Sequence, residues 1–350
     1  MRRKVKEILI LSVMLISLVY SILIKPRRSS QHNFEKYYII IMFLILFFAQ
    51  AIQETTGYND IYVYKQSYES FAGWNYTSFF NKWNELKDPF YYFVGFIFLK
   101  IGASFEVFKI CINAFFIFST YKLVKEYSVK PSLSIMTFVA IGAYSFSFTG
   151  LRQVLAMAVL MFSFKYLVEK SLVKFVLLVL VASVFHSSAI IFLVAYFIYH
   201  MRQSVSSLIC LSIGGLIVIL NSRALVTFYL NFIDTNDLYE SYLEKENGLS
   251  ISGVIILASI FIFSLIFLYN KNWKTNFPKL THLLLVSIVF RILSVVWFGE
   301  FFRLSMYFSV FDILLIPEAC TTSIGRDNSM PSLKSFIVSV ILCLYWLISI

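Results

Sequence analysis

Apolar residues fall along this chain in long runs separated by short polar clusters. Candidate runs cover 7–24, 37–52, 90–103, 105–121, 133–150, 151–168, 172–185, 186–200, 206–221, 253–269, 280–298, 301–317 and 334–350. A bilayer-spanning helix needs roughly 20 apolar residues, with about 17–25 tolerated, so several of these runs are short. Strand-like alternation is absent, and the runs are too apolar for a transmembrane barrel. The pattern predicts an all-α, polytopic integral membrane protein with 12–13 hydrophobic segments, in one transmembrane domain over 1–350. The start, Met1-Arg2-Arg3-Lys4 before an apolar run, has the outline of a signal peptide. That run continues to Ile24 without a small-residue cleavage site, so it is predicted to be an uncleaved first span.

Composition supports that class and removes others. Of 350 residues, 59% are hydrophobic and 14% charged, with a mean hydropathy of +0.78. Soluble domains run at about 45–50% apolar and about 25% charged, so a soluble enzyme is excluded. The formal net charge of +11 sits in clusters between the apolar runs, as positive-inside bias predicts. No basic stripe interleaved with aromatics lies on a polar domain, so no nucleic-acid partner is predicted. Cys111, Cys210, Cys320 and Cys343 form no C-x-x-C pair, so neither a disulfide framework nor a zinc site follows.

Charge also orients the chain. Glu169-Lys170 with Lys174, His200-Met201-Arg202 and the stretch 271–279 are predicted to be cytoplasmic, as are Lys122, Lys125 and Lys130. The acidic loop 222–252 then lies outside, with Arg152, His186 and Glu300 at the same outer side. Cytoplasmic Lys25-Pro26-Arg27-Arg28 and Lys36 would make 53–88 an extracytoplasmic loop. Returning from it to Lys122 requires an odd number of crossings, yet 90–103 and 105–121 make two. Either 90–103 enters without crossing, as a re-entrant or interfacial helix, or 53–88 is cytoplasmic and the 25–36 cluster is outside. Arg2, Arg3, Lys4 and Lys6 favour the second arrangement. The shortness of 90–103, with Lys100 inside it, favours the first, which is the preferred one.

An ionisable group at the bilayer centre costs about 2.5–3.5 kcal/mol on insertion scales, so each needs a reason. Lys100, Lys109 and Lys165 have stems long enough to snorkel. Arg152 differs, because Gly150-Leu151-Arg152-Gln153 joins two apolar runs with no hydrophilic loop between them. His186 sits in a similar joint, Phe185-His186-Ser187-Ser188. Arg291 falls in the outer half of 280–298, and Glu300, Arg303 and Tyr307 are spaced to share one helical face. A headgroup-level arginine, a capping histidine and a plain Glu300–Arg303 ion pair are the bland alternatives. Taken together, three arginines and a histidine at the outer side predict a cavity for an anionic lipid headgroup, since guanidinium donors match phosphate oxygens. Asp312, nine residues past Arg303 and on the opposite face, is expected to be a packing or relay group. Soluble-enzyme motifs are missing, and Asp234-Thr235-Asn236-Asp237 is predicted to be an acidic solvated loop in preference to a metal site.

Four pieces in order resemble the EpsG-like branch of Wzy-type bacterial polysaccharide polymerases. They are Gly57-Tyr58-Asn59-Asp60-Ile61-Tyr62-Val63-Tyr64, like G-x-D-Y-x-x-Y; then Asp88-Pro89, where relatives usually carry Glu-Pro. Leu151-Arg152-Gln153-x-x-Ala156 and Phe185-His186-Ser187-Ser188-Ala189 follow, and Arg303-Leu304-Ser305-Met306-Tyr307-Phe308 is like R-x-x-x-Y-F. The set brackets residues 57–308; single motifs are weak and the ordered set carries the specificity. Asp88 in place of Glu and an extra residue near Asp60 depart from the pattern.

The resemblance implies a glycosyltransferase at the outer face of the bacterial cell (inner) membrane, making exopolysaccharide, capsule or O-antigen. Its substrate would be undecaprenyl-pyrophosphate-linked oligosaccharide, with a flippase and a chain-length regulator as expected partners and no cofactor or metal. In that chemistry Arg152, Arg291 and Arg303 would stabilise the departing pyrophosphate. His186 would take the acceptor proton, with Asp60 the candidate carboxylate. Gln153 would orient sugar or phosphate, and Glu300 and Tyr307 would line the substrate site. A lipid-linked oligosaccharide transporter is the main alternative; it would be expected to show inverted repeats, which are not seen. A membrane acyltransferase is a weaker one.

Overall fold

Local chemistry sets where the helices begin and end. Pro89 and Pro131 sit at first helical positions, where a missing N–H costs nothing. Ser104 accepts from the Val107 amide at 3.4 Å, and Ser204 forms a reciprocal capping box with Ser207. In this computed structural model the described residues are 2–23, 32–53, 59–202, 204–222, 224, 251–268, 279–296, 301–321 and 330–349. Among them all regular structure is helical. The helices are α1 (Arg2–Leu23), α2 (His32–Ala51), α3 (Asn59–Ser70), α4 (Tyr76–Asn81), α5 (Pro89–Lys100), α6 (Phe105–Tyr127), α7 (Pro131–Ala140), α8 (Ala143–Phe146) and α9 (Leu151–Val168). Then come α10 (Leu172–Phe185), α11 (Val194–His200), α12 (Val205–Leu220), α13 (Ser252–Leu268), α14 (Leu280–Val296), α15 (Phe301–Ser309), α16 (Asp312–Thr321) and α17 (Met330–Ser349).

The core is centred on α7, α9 and α16. All ten residues of α7 are buried, and α9 lies between α6 and α10. Helix α7 packs on α1, α16 and α17, while α14 carries α12, α13 and α15 on its surface. Polar clasps fix neighbours: Tyr144 Oη donates to the Leu46 carbonyl at 2.8 Å, Gln50 bonds Ser147, and Lys130 Nζ donates to the Ser21 carbonyl at 2.9 Å.

The outer surface is apolar. Leu23, Phe34, Phe197, Leu220 and Ile348 are each at least two-thirds exposed, an arrangement that water penalises and acyl chains do not. Among the described residues four helices are long and apolar enough to cross a bilayer, Arg3–Leu23, Phe34–Ala51, Phe105–Tyr127 and Leu151–Val168, and the bent pair Phe301–Ser309 with Asp312–Thr321 would make a fifth if it is one span. Together with the shorter apolar helices, this is an all-α polytopic membrane protein.

Several segments differ from the uniform spans expected. The run 133–150 is broken: α7 stops at Ala140, Gly142 takes φ +93°, and the four-residue α8 follows. Its apolarity reflects burial inside protein, which periodicity alone does not separate from lipid contact. The run 301–317 bends by 46° between α15 and α16. The run 186–200 begins as a 3-10 segment, Ser187–Leu193, before α11. Helix α5 has 12 residues, a rise of about 18 Å, well short of the ~30 Å hydrocarbon core. Within the stretch 53–88 the described residues 59–88 are folded, since α3 and α4 lie among them and α3 packs on α5 and α6. Lys109 does not snorkel; it is buried and donates to the Gln53 carbonyl at 2.7 Å, placing its charge at the C-terminal end of α2. Most of the acidic loop 222–252 and most of the basic stretches 25–28 and 271–279 lie outside the described residues.

Gly142 isolates a backbone cost, because no atom lies within 4 Å of where its Cβ would be. Gly142→Ala should lower stability by about 1–2 kcal/mol, the left-handed penalty, and Gly142→Asn by less. Thermal unfolding in detergent checks this; equal losses for the two variants would contradict it.

Candidate functional site

Three helix ends meet at one place. Asp88 stands at the N-cap position of α5 with its side chain turned away from the helix, Gly150-Leu151-Arg152 opens α9, and His186-Ser187 joins α10 to the 3-10 segment. Asp88 has φ +59°, ψ +58°, a left-handed conformation that short polar side chains tolerate, and Pro89 behind it disfavours the right-handed alternative. Gly150 is required where it stands because a Cβ would overlap the Phe146 ring. His186 is extended (φ −152°, ψ 110°), which ends α10 and turns its ring inward.

The Asp88 carboxylate, 2% exposed, is the common partner. Its Oδ2 lies 2.7 Å from His186 Nδ1 and 3.1 Å from Arg152 Nη1, and its Oδ1 accepts from the Ser187 amide at 2.9 Å. Arg152 is held further: Nη1 donates to the Lys87 carbonyl at 2.9 Å and Nε to Tyr64 Oη at 3.4 Å. Its guanidinium also lies 5.5 Å and 5.7 Å from the Tyr64 and Tyr92 ring centres, within cation–π range.

Burial would push the Asp88 carboxyl up, but the His186 bond and charge, the Ser187 amide and Arg152 outweigh it and hold the group below its ordinary range. Burial lowers His186 despite the neighbouring carboxylate, and Arg152 and Lys87 lower it further. The imidazole is therefore neutral at pH 7. Since an ionised Asp88 can only accept, Nδ1 carries the proton, a tautomer assigned from the network. Nε2 is left with its lone pair and has no hydrogen-bond partner among the described residues. This is an orienting-carboxylate and base arrangement.

A second cluster shares elements with the first. Asp60 and Tyr64 are four apart on α3, so the helix that supplies Tyr64 to Arg152 also supplies Asp60 to Arg303, whose Nη2 lies 3.0 Å from Asp60 Oδ2. Gln153, beside Arg152, donates to the Arg303 carbonyl at 2.5 Å. Tyr307, one turn after Arg303, meets Ser188 at 3.0 Å. Asp60 and Arg303 also line a cavity of about 630 Å³ with Arg291, Phe302, Ser145 and Tyr345. Arg291 stacks over Phe302 at 4.7 Å and packs against Gly253; its Nε is buried without a partner among the described residues.

The expected residues are thus divided. Arg152 and His186 are in contact through Asp88, and Gln153, Arg303, Tyr307 and Asp60 adjoin them. Arg291 and Arg303 share the cavity, which Arg152 and His186 do not line, so a single chamber holding all three arginines is corrected to two linked clusters. Glu300 lies outside the described residues; among the described residues Asp60 pairs with Arg303. Asp60 is engaged in that pair, which makes it an anchor for Arg303. Asp312 is buried at the start of α16, with no partner for Oδ2 among the described residues. Asp88, Tyr64, Tyr92 and Ser187 escaped the sequence argument as site residues. The available signal was Asp88-Pro89 itself, an acid directly before a helix-starting proline.

A sequence profile of the EpsG family matches residues 36–350, spanning both clusters. The chain belongs to the EpsG family. No curated protein and no solved structure matches it. Membership ties this EpsG-family protein to exopolysaccharide biosynthesis in a membrane, with a polymerase-related role.

Removing Asp88 strands a buried guanidinium beside an imidazole. Asp88→Ala should therefore cost about 3–5 kcal/mol, against about 0–1 for Glu69→Ala, which breaks an exposed i,i+4 pair with Lys65 at 3.8 Å. Chemical denaturation in detergent tests this, and similar losses for both would show that Asp88 is not the anchor.

Proposed function

We propose that this EpsG-family protein is a polysaccharide polymerase of the bacterial cell membrane. It joins lipid-diphosphate-linked oligosaccharide repeat units at the outer face. The observation that carries this reading is the Asp88–His186–Arg152 cluster: a neutral imidazole whose Nε2 bonds none of the described residues, held by a buried carboxylate beside a guanidinium.

The acceptor is a sugar hydroxyl on one lipid-linked unit. Its oxygen forms a bond to the anomeric carbon of the growing chain's reducing sugar, while the bond from that carbon to the diphosphate oxygen breaks. The hydroxyl proton goes to His186 Nε2, and the electron pair of the broken bond leaves with the lipid diphosphate. Asp88 keeps Nδ1–H donated and stabilises the imidazolium that forms, as a carboxylate does in other base-orienting pairs. Negative charge grows on the leaving oxygens; Arg152 lies beside the base to meet it, and Arg303 and Arg291 in the adjoining cavity hold the rest of the anionic headgroup. Gln153 and Tyr307 fix Arg303 and the Ser188 segment relative to one another.

Two tests follow. Cells carrying Arg152→Ala or His186→Gln, at protein levels matched to wild type, should accumulate single lipid-linked repeat units on the outer leaflet where wild type makes a ladder. An unchanged ladder would overturn the proposal, and single units trapped on the cytoplasmic face would favour a transporter. In a reconstituted assay the rate should fall in acid with a midpoint below about 6.5, the ordinary imidazole value. The carboxylate favours the charged ring, so Asp88→Asn should move that midpoint lower still. It should also reduce the maximal rate by roughly 10²- to 10⁴-fold, the range for general-base catalysis. A midpoint moving upward would contradict the assignment.

A further inference from the structure

The structure holds a second built concavity, at the other end of α9. Lys165 follows Arg152 by thirteen residues, about 20 Å along the helix, so this feature is separate from the clusters above. It is a pocket of about 510 Å³ between the C-terminal part of α6, the C-terminal part of α9 and the start of α10. Lys122, Lys165 and Lys174 supply its polar wall, and Phe162, Leu177 and Leu178 are among its apolar lining.

We propose that this pocket binds an anionic glycerophospholipid of the bilayer, with the phosphate on the three lysines and an acyl chain along the apolar wall. Charge makes the argument. Three lysines line the pocket against one lining carboxylate, Glu126. The pairs that occupy two of them are loose: Lys122 to Glu126 is 3.5 Å and Lys165 to Glu169 is 3.9 Å, each with both side chains roughly half exposed. Exposed i,i+4 pairs of this kind are weak and give way to a better anion. Lys174 has an aromatic contact, its Nζ 5.5 Å from the Tyr166 ring centre, which sets the amine at the pocket edge without neutralising it. The apolar side faces outward, since Leu177 is 56% exposed, so a lipid chain reaches it from the bilayer without entering the bundle. A basic pocket between membrane helices that is open to acyl chains selects a lipid phosphate over a zwitterionic headgroup, because choline would bring a fixed positive charge among the lysines.

The test uses the full chain, delipidated in detergent and titrated with phosphatidylglycerol or phosphatidylcholine under native mass spectrometry. Phosphatidylglycerol should bind about tenfold tighter or more. The double variant K165Q/K174Q should lose that preference, and K165R/K174R, which keeps both charges, should retain it. Lys82→Gln, which changes a lysine that does not line the pocket, should leave it intact. Equal binding of the two lipids, or a preference that survives K165Q/K174Q, would overturn the proposal. So would displacement by glycerol phosphate at concentrations comparable to the lipid, since the site would then recognise a soluble phosphate.

Discussion

One buried carboxylate holds the candidate site together. Asp88 is nearly inaccessible, yet it meets the His186 imidazole and the Ser187 amide from one distant part of the chain and the Arg152 guanidinium from another. An isolated charge in such surroundings would be expelled or neutralised; here each oxygen has partners that favour ionisation. The same contacts decide the chemistry of the neighbours. A carboxylate that can only accept forces the proton of His186 onto Nδ1, and it gives Arg152 a fixed direction at the mouth of α9. Position, tautomer and charge at this site thus follow from a single group.

The membrane explains why such a group sits where helices end. Within hydrocarbon, backbone must be hydrogen-bonded internally, so irregular joints survive only where protein surrounds them. The left-handed turn at Asp88, the Gly150 turn against Phe146 and the extended His186 are three irregular joints buried in protein. Helix α3 then bridges the two clusters, with Tyr64 on Arg152 and Asp60 on Arg303. A bend at the end of α15 places Arg303 and Tyr307 beside Gln153 and Ser188 while leaving a cavity next to α13 and α14.

Much of this was legible beforehand. The all-helical membrane class followed from apolar run length and composition, and Arg152 and His186 stood out because each occupies a joint with no hydrophilic loop to explain it. The run 133–150 misled because a helix buried in protein and a helix in lipid are equally apolar. Lys109 misled because a long stem can snorkel outward or reach inward to a carbonyl, and sequence does not separate the two. Asp88 was visible only as a motif position: its importance arises from contacts to residues 98 positions away at His186 and 64 away at Arg152, which no local pattern encodes. The pairing of Arg303 with Asp60, 243 positions apart, was hidden for the same reason.

Asp88 fixes His186 as a neutral, Nδ1-protonated ring. Nitrogen-15 NMR of histidine-labelled protein at pH 7 tests it directly, with the His186 signals identified by their loss in His186→Gln. Nδ1 should be protonated and Nε2 unprotonated. A ring protonated on Nε2, or on both nitrogens, would contradict it.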